Sequence, residues 1–163
     1  MNIKTPVIGL PSSPWQKKAF KFAKKHPNLV KANISDFCYE CSRHRELLYL
    51  FDGHVSNFEQ SEYWNYYKGK KPENAVISKI SYYKKRYEDI RRYGYKSFDN
   101  GSSIIITDDG CRIDGSHRLS ILLHLNILET EVNLFIYEKL FSEKESKRIR
   151  KANLDYRLKT YNL

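Results

Sequence analysis

The chain reads as an α+β domain, a small mixed sheet with helices packed on it. Three stretches carry this. From Glu73 to Tyr93 apolar residues recur at helical spacing, with Val76, Ile80, Tyr83, Tyr87 and Ile90 on one stripe. Ile104-Ile105-Ile106-Thr107 is a short apolar run closed by the turn residues Asp108-Asp109-Gly110. Thr130 to Tyr137 alternates, placing Val132, Leu134 and Ile136 on one face of a strand.

The elements follow in order. Ser13 reads as a helix cap, with Pro14 at the first helical position and Gln16 completing a capping box. This helix runs to about Lys25 and stops before His26-Pro27. Leu47 to Phe51 is a strand candidate ended by Asp52-Gly53. A loop holding Phe58-Glu59-Gln60 follows, and Ser61 caps a short helix through Tyr67. Gly94 is a natural stop for the long helix from Glu73. Ser142 to Glu145 is a second capping box, opening a basic C-terminal helix. The organisation expected is a helical extension over residues 1–45, a core over 46–140 and a basic helix over 141–163.

With 163 residues the chain is long enough for one domain with a real core, and 40% of its residues are hydrophobic. Thirteen tyrosines and eight phenylalanines supply large faces to bury. No apolar run spans a bilayer and no signal-peptide core opens the chain, so a cytoplasmic protein without membrane insertion is expected. Three cysteines argue against a disulfide framework. A formal net charge of +10 suits nucleic acid, nucleotides, anionic metabolites or a membrane surface. The lysines are spread along the chain, which suits a solvated basic surface equally well.

The chemistry concentrates at Ile113-Asp114-Gly115-Ser116-His117-Arg118-Leu119. A strand, a tight turn and a second strand lead into a helix opening on Gly115-Ser116. A helix N-terminus offers unpaired N–H groups and a positive dipole end to an anion such as phosphate. His117 and Arg118 would neutralise charge on a transferred group. Asp114 would carry Mg²⁺ or orient an acceptor hydroxyl. Glu59 would accept its proton, with Glu62 as a rival base. Each has a plainer role: Asp114 as a cap, His117 on a helix surface, Arg118 in a structural ion pair, Glu59 in solvent. His124 reads as a packing or surface residue. Cys38, Cys41 and His44 have metal-ligand spacing, yet no fourth ligand is near.

The stretch from Ser103 to Tyr137 resembles the ParB/sulfiredoxin superfamily, loosely extending upstream to Leu47. Its members share the order strand, turn, strand, Gly-containing basic motif, helix and closing strand. Sulfiredoxins place a catalytic Cys where this chain has Ser116, a far weaker nucleophile. ParB-type CTP-binding proteins carry Gly-Glu-Arg-Arg, and only a short tail here follows Tyr137 in place of their DNA-reading domain. Free-serine kinases carry Asp-Gly-His-His-Arg, close to Asp114-Gly115-Ser116-His117-Arg118, and an upstream His-Glu-Gln similar to Phe58-Glu59-Gln60. Their large C-terminal extension has no counterpart in this chain.

This last resemblance implies a phosphotransferase that moves a phosphoryl group from ATP or ADP, with Mg²⁺, to a hydroxyl of a small metabolite such as an amino acid, sugar or alditol. Glu59, Asp114 and His117 would be catalytic. Gly115, Ser116, His117 and Arg118 would hold phosphate, and Asp114 the metal. The alternative is a non-catalytic nucleotide- or nucleic-acid-binding ParB-like module. A nuclease using Asp108, Asp109 and Asp114 is a third reading. The acceptor, the nucleotide and the oligomeric state are left open.

Overall fold

A computed structural model describes residues 8–9, 13–34, 42–53, 57–96 and 103–161. Its contacts divide the chain into two units, one of residues 1–39, 96–116 and 128–163, the other of residues 40–95 and 117–127. Helices and a mixed sheet make this an α+β fold.

The first unit holds the sheet. Its strands are β1 (Ile8–Gly9), β2 (Leu29–Asn33), β3 (Ile105–Thr107), β4 (Cys111–Asp114) and β5 (Glu129–Phe135), in the order β1-β4-β3-β5-β2. β3 and β4 form an antiparallel hairpin, while β5 lies parallel to β3 with Ile106 opposite Leu134. The segment before residue 45, read as a helical extension, supplies the strand β2, which pairs antiparallel with β5. It also supplies β1, which pairs parallel with β4. Helix α1 (Pro14–Lys25) starts as expected, with Gln16 Oε1 accepting the Ser13 N–H at 2.9 Å. Ala19 and Ala23 are buried with Ile105, Phe135, Tyr137 and Ile149, and Trp15, Phe22 and Phe141 pack around them. Small residues on the inner face let the helix approach the strands closely.

Buried Asn133 fastens α1 to β5. Its Nδ2 donates to the Ala23 carbonyl at 2.9 Å and its Oδ1 accepts from the Asn28 N–H at 2.9 Å. Helix α6 (Glu143–Tyr161) opens on the expected capping box, in which Glu145 N–H donates to Ser142 Oγ at 3.3 Å and Glu145 Oε2 accepts from Ser142 N–H at 3.1 Å.

The second unit is helical. It contains α2 (Ser42–Phe51), a 3₁₀ turn over Phe58–Gln60, α3 (Glu62–Tyr67), α4 (Glu73–Tyr93) and most of α5 (Ser116–His124). Leu47 to Phe51, expected as a strand, are the last turns of α2. Leu47 and Leu48 are fully buried while Tyr49 is 47% exposed, a helical face rather than an alternation. A short apolar run cannot tell a strand from a buried helix by periodicity alone, and packing on α3 and α4 decides it. On α4 the stripe Val76, Ile80, Tyr83, Tyr87 and Ile90 is buried as expected, and the Gly94 N–H closes the helix on the Ile90 carbonyl at 2.9 Å. Ser61 caps α3, its Oγ accepting from Trp64 N–H at 3.1 Å. Among the described residues no helix is long and apolar enough to cross a membrane.

Replacing Asn133 with Leu leaves the Ala23 carbonyl and Asn28 N–H unpaired. The variant should lose about 2 kcal/mol of stability or more, read as a lower urea midpoint. An unchanged midpoint would show that Asn133 does not fasten α1 to β5.

Candidate functional site

The motif turn is set by backbone geometry. β4 ends at Asp114, opposite Ile105 of β3, and α5 starts at Ser116. Gly115 alone separates them, at φ 96°. A Cβ on Gly115 would lie 2.8 Å from Ile104 Cα, so no side chain fits there. The sharp turn presents the N-terminal N–H groups of α5 immediately after the strand. Ser116, His117 and Arg118 form the first turn of that helix.

The hairpin before it is pinned by α6. Thr107 Oγ1 accepts from the Cys111 N–H at 2.7 Å and contacts Asp109. Tyr137 donates to Asp109 Oδ1 at 3.0 Å, and Asn153 Nδ2 donates to Tyr137 Oη at 2.8 Å and to Asp109 Oδ2 at 3.2 Å. Arg157 of α6 reaches the Asp109 carbonyl and the Cys111 sulfur. Burial pushes the Cys111 thiol up to about 12, which keeps it protonated, and likewise raises the Tyr137 hydroxyl. Arg150 donates to Asp108 Oδ2 at 2.6 Å and to Glu138 Oε2 at 2.9 Å. Burial raises Asp108 and Arg150 opposes that shift. Asp108 and Asp109, grouped with Asp114 in the nuclease reading, thus anchor a turn to α6.

In the helical unit His117 sits among rings. Its centroid lies 4.4 Å from His44, 4.6 Å from Tyr83 and 6.2 Å from Tyr63. These rings pack around the imidazole. Arg118 is buried at 7% exposure. Glu59 lies on the 3₁₀ turn, exposed, its N–H held by Asn57 Oδ1 at 2.8 Å. Glu62 opens α3, its N–H donating to Glu46 Oε2 at 2.6 Å. Both candidate bases are therefore solvent-facing carboxylates on adjoining short helices. Cys38 and Cys41 lie outside the described residues, while His44 is buried in the ring cluster with His117. Among the described residues no group of three or more His, Cys, Asp or Glu side chains gathers as a metal cage.

A second polar constellation lies at the other end of α5. Asp52, Tyr87, Arg91, His124 and Leu125 line an open pocket of about 350 Å³. His124 Nε2 is 2.6 Å from Asp52 Oδ2, and Tyr87 donates its hydroxyl hydrogen to Asp52 Oδ1. Arg91 Nη1 is 3.5 Å from Asp52 Oδ1. The Tyr87 hydrogen bond chiefly holds Asp52 below its ordinary pKa, with His124 and Arg91 adding to it. Burial, then Asp52, raises the Tyr87 hydroxyl. The sequence alone does not show this constellation: there His124 reads as a packing or surface residue and Asp52 as a strand end. The usable signal is positional: with residues 47–51 helical, Asp52, Arg91 and His124 all fall at helix C-termini.

No family model, curated protein or solved structure matches the chain.

Two outcomes follow. Gly115→Ala should cost at least about 2 kcal/mol through strain at positive φ and the clash with Ile104, measured by chemical denaturation. Stability equal to wild type would show the turn relaxes freely. Asp52 stabilises the fold above its unfolded pKa of 3.8, and this is lost as pH falls through its lower folded value. Asp52→Asn should therefore flatten the loss of stability below about pH 4. A slope unchanged from wild type would place the acid-labile group elsewhere.

Proposed function

We propose that this chain is a small cytoplasmic phosphotransferase with a ParB/sulfiredoxin-like core. It moves a phosphoryl group from ATP or ADP to a hydroxyl of a small metabolite such as an amino acid, sugar or alditol. The observation that carries the reading is the order β3, turn, β4, Gly115, α5, β5, with a glycine that no other residue can replace at the start of α5. That order and that constraint support a backbone cradle for phosphate, because the amides of a helix N-terminus point outward with a positive dipole.

The residues take the following roles. Ser116 and His117 amides bind phosphate oxygens, with the Ser116 hydroxyl beside them. Arg118 supplies fixed positive charge at the helix start. His117, oriented by His44 and Tyr83, adds a donor toward the transferred group. Asp114 ends β4, directly before Gly115. Mg²⁺ is commonly held by one or two carboxylates together with substrate phosphates, so a single aspartate without a protein cage fits it. The metal would supply charge neutralisation on those phosphates. Glu59, exposed on its short turn, accepts the proton of the acceptor hydroxyl, with Glu62 as its rival.

The test is phosphoryl transfer from ATP or ADP with Mg²⁺ to a panel of amino acids, sugars and alditols. Glu59→Ala should reduce turnover by at least about a hundred-fold while nucleotide binding persists. Arg118→Ala should abolish the rise in melting temperature that nucleotide gives wild type. Full activity in Glu59→Ala removes that residue from the mechanism. Nucleotide binding without transfer to any acceptor favours the non-catalytic module.

One observation favours a second reading, nucleic-acid binding. In the helical unit Tyr66, Tyr82 and Tyr93 are 43%, 58% and 65% exposed. Each carries a cation over its ring: Lys70 at 3.6 Å and Arg43 at 3.8 Å on Tyr66, Arg86 at 5.1 Å on Tyr82, Arg92 at 5.2 Å on Tyr93. Exposed rings beside cations suit stacked bases along a phosphate backbone. This reading requires binding to single-stranded oligonucleotide that falls steeply with salt and weakens in Tyr82→Ala. Absence of binding at low salt removes it.

A further inference from the structure

We propose that the pocket at the C-terminal ends of α2, α4 and α5 binds a small zwitterion, with Asp52 and His124 taking its ammonium and Arg91 its oxyanion. This site is separate from the motif turn and does not depend on the phosphotransferase reading.

The acceptor side follows from proton placement. An ionised carboxylate only accepts, so the nitrogen of His124 that touches Asp52 must donate. His124 Nε2 therefore carries a hydrogen, and in the neutral ring Nδ1 is left as an acceptor. Among the described residues Nδ1 makes no hydrogen bond. Tyr87 likewise spends its hydrogen on Asp52, and its oxygen accepts only the long contact from Arg91 at 3.5 Å among the described residues. A carboxylate has about four lone-pair sites; Tyr87 and His124 occupy one on each oxygen, and Arg91 lies at 3.5 Å from Oδ1. Asp52 can thus accept further bonds.

Helix polarity points the same way. Asp52 directly follows α2, Arg91 lies in the last turn of α4, and His124 ends α5. Helix C-termini carry partial negative charge and favour cations. Three of them meet a carboxylate at this pocket, an environment made for an ammonium group.

Arg91 supplies the opposite pole. Its side chain is 63% exposed, and its contacts to Asp52 and Tyr87 are both 3.5 Å. Arg150 shows what a committed structural arginine looks like in this protein: 31% exposed, with close contacts to Asp108 and Glu138. Arg91 lines the pocket through long contacts, and among the described residues most of its five donors are unspent. A simple amine would meet repulsion from this guanidinium, and a simple anion would meet repulsion from Asp52 and the helix ends. A molecule bearing both charges satisfies both poles. Leu125 provides an apolar patch for the carbons between them, and about 350 Å³ accommodates a molecule of amino-acid size.

The test is calorimetric titration of the full chain with β-alanine and with 2-aminoethyl phosphate, which differ only in the oxyanion. Ethylamine, propionate and inorganic phosphate serve as single-charge controls. At least one zwitterion should saturate the protein, with each control at least about ten-fold weaker. Saturation by β-alanine alone assigns a carboxylate ligand, and by 2-aminoethyl phosphate alone a phosphate ligand. Arg91→Ala, a change at an exposed side chain, should weaken the zwitterion at least about ten-fold, and Arg91→Lys should recover part of the loss. Arg118→Ala should leave this binding unchanged, which separates the site from the motif turn. Zwitterions that bind no tighter than the controls, or that bind Arg91→Ala as well as wild type, overturn the proposal.

Discussion

The close approach of Gly115 to Ile104 is the constraint on which the arrangement of the motif depends. The backbone must turn from β4 into α5 within one residue, at a positive φ and with no room for a Cβ. That single residue sets where the first amides of α5 lie relative to the strand end. It also fixes that Ser116, His117 and Arg118 occupy the helix's first turn rather than a loop. Everything the chain could do with an anion at this place follows from a backbone geometry that only glycine supports.

The hairpin that delivers the chain to this turn is held by a part-buried polar network. Asp109 is wrapped by Thr107, Tyr137, Asn153 and Arg157, and Asp108 is paired with Arg150. These hydrogen bonds offset much of the cost of burying the groups, while among the described residues Asp108 Oδ1 and Arg157 Nε make none. Here the C-terminal helix α6 supplies most of the partners. It acts as a clamp on the β3–β4 turn, and the basic residues Arg150 and Arg157 serve the fold rather than a ligand.

The parts of the fold with long, unambiguous patterns were readable directly. The α4 stripe, the two capping boxes, the hairpin and β5 all have local signals that packing reinforces. Leu47 to Phe51 misread because five apolar residues in a row carry no period, and only contacts with α3 and α4 reveal the helix. β2 was missed because Leu29, Val30 and Ala32 do not alternate strongly, and β5 recruits them as an edge. The motif from Asp114 to Arg118 was visible because glycine, a short polar residue and two bases at a strand–helix junction imply a chemistry. The pocket of Asp52, Tyr87, Arg91 and His124 was not. Its residues are far apart in sequence and share only a position at helix ends, which becomes meaningful once α2 is known to be a helix.

Two ends of one helix thus carry opposite chemistry. On the proposed reading the N-terminus of α5 would offer amides and basic side chains to a phosphate, and its C-terminus an acceptor-rich pocket beside Arg91. The most direct test of the central claim is amide chemical-shift mapping on the ¹⁵N-labelled chain, titrated with ADP and Mg²⁺. Phosphate binding at this turn would give the largest shifts at the amides of Gly115, Ser116, His117 and Arg118. Unmoved amides at these residues, with or without changes elsewhere, would contradict it.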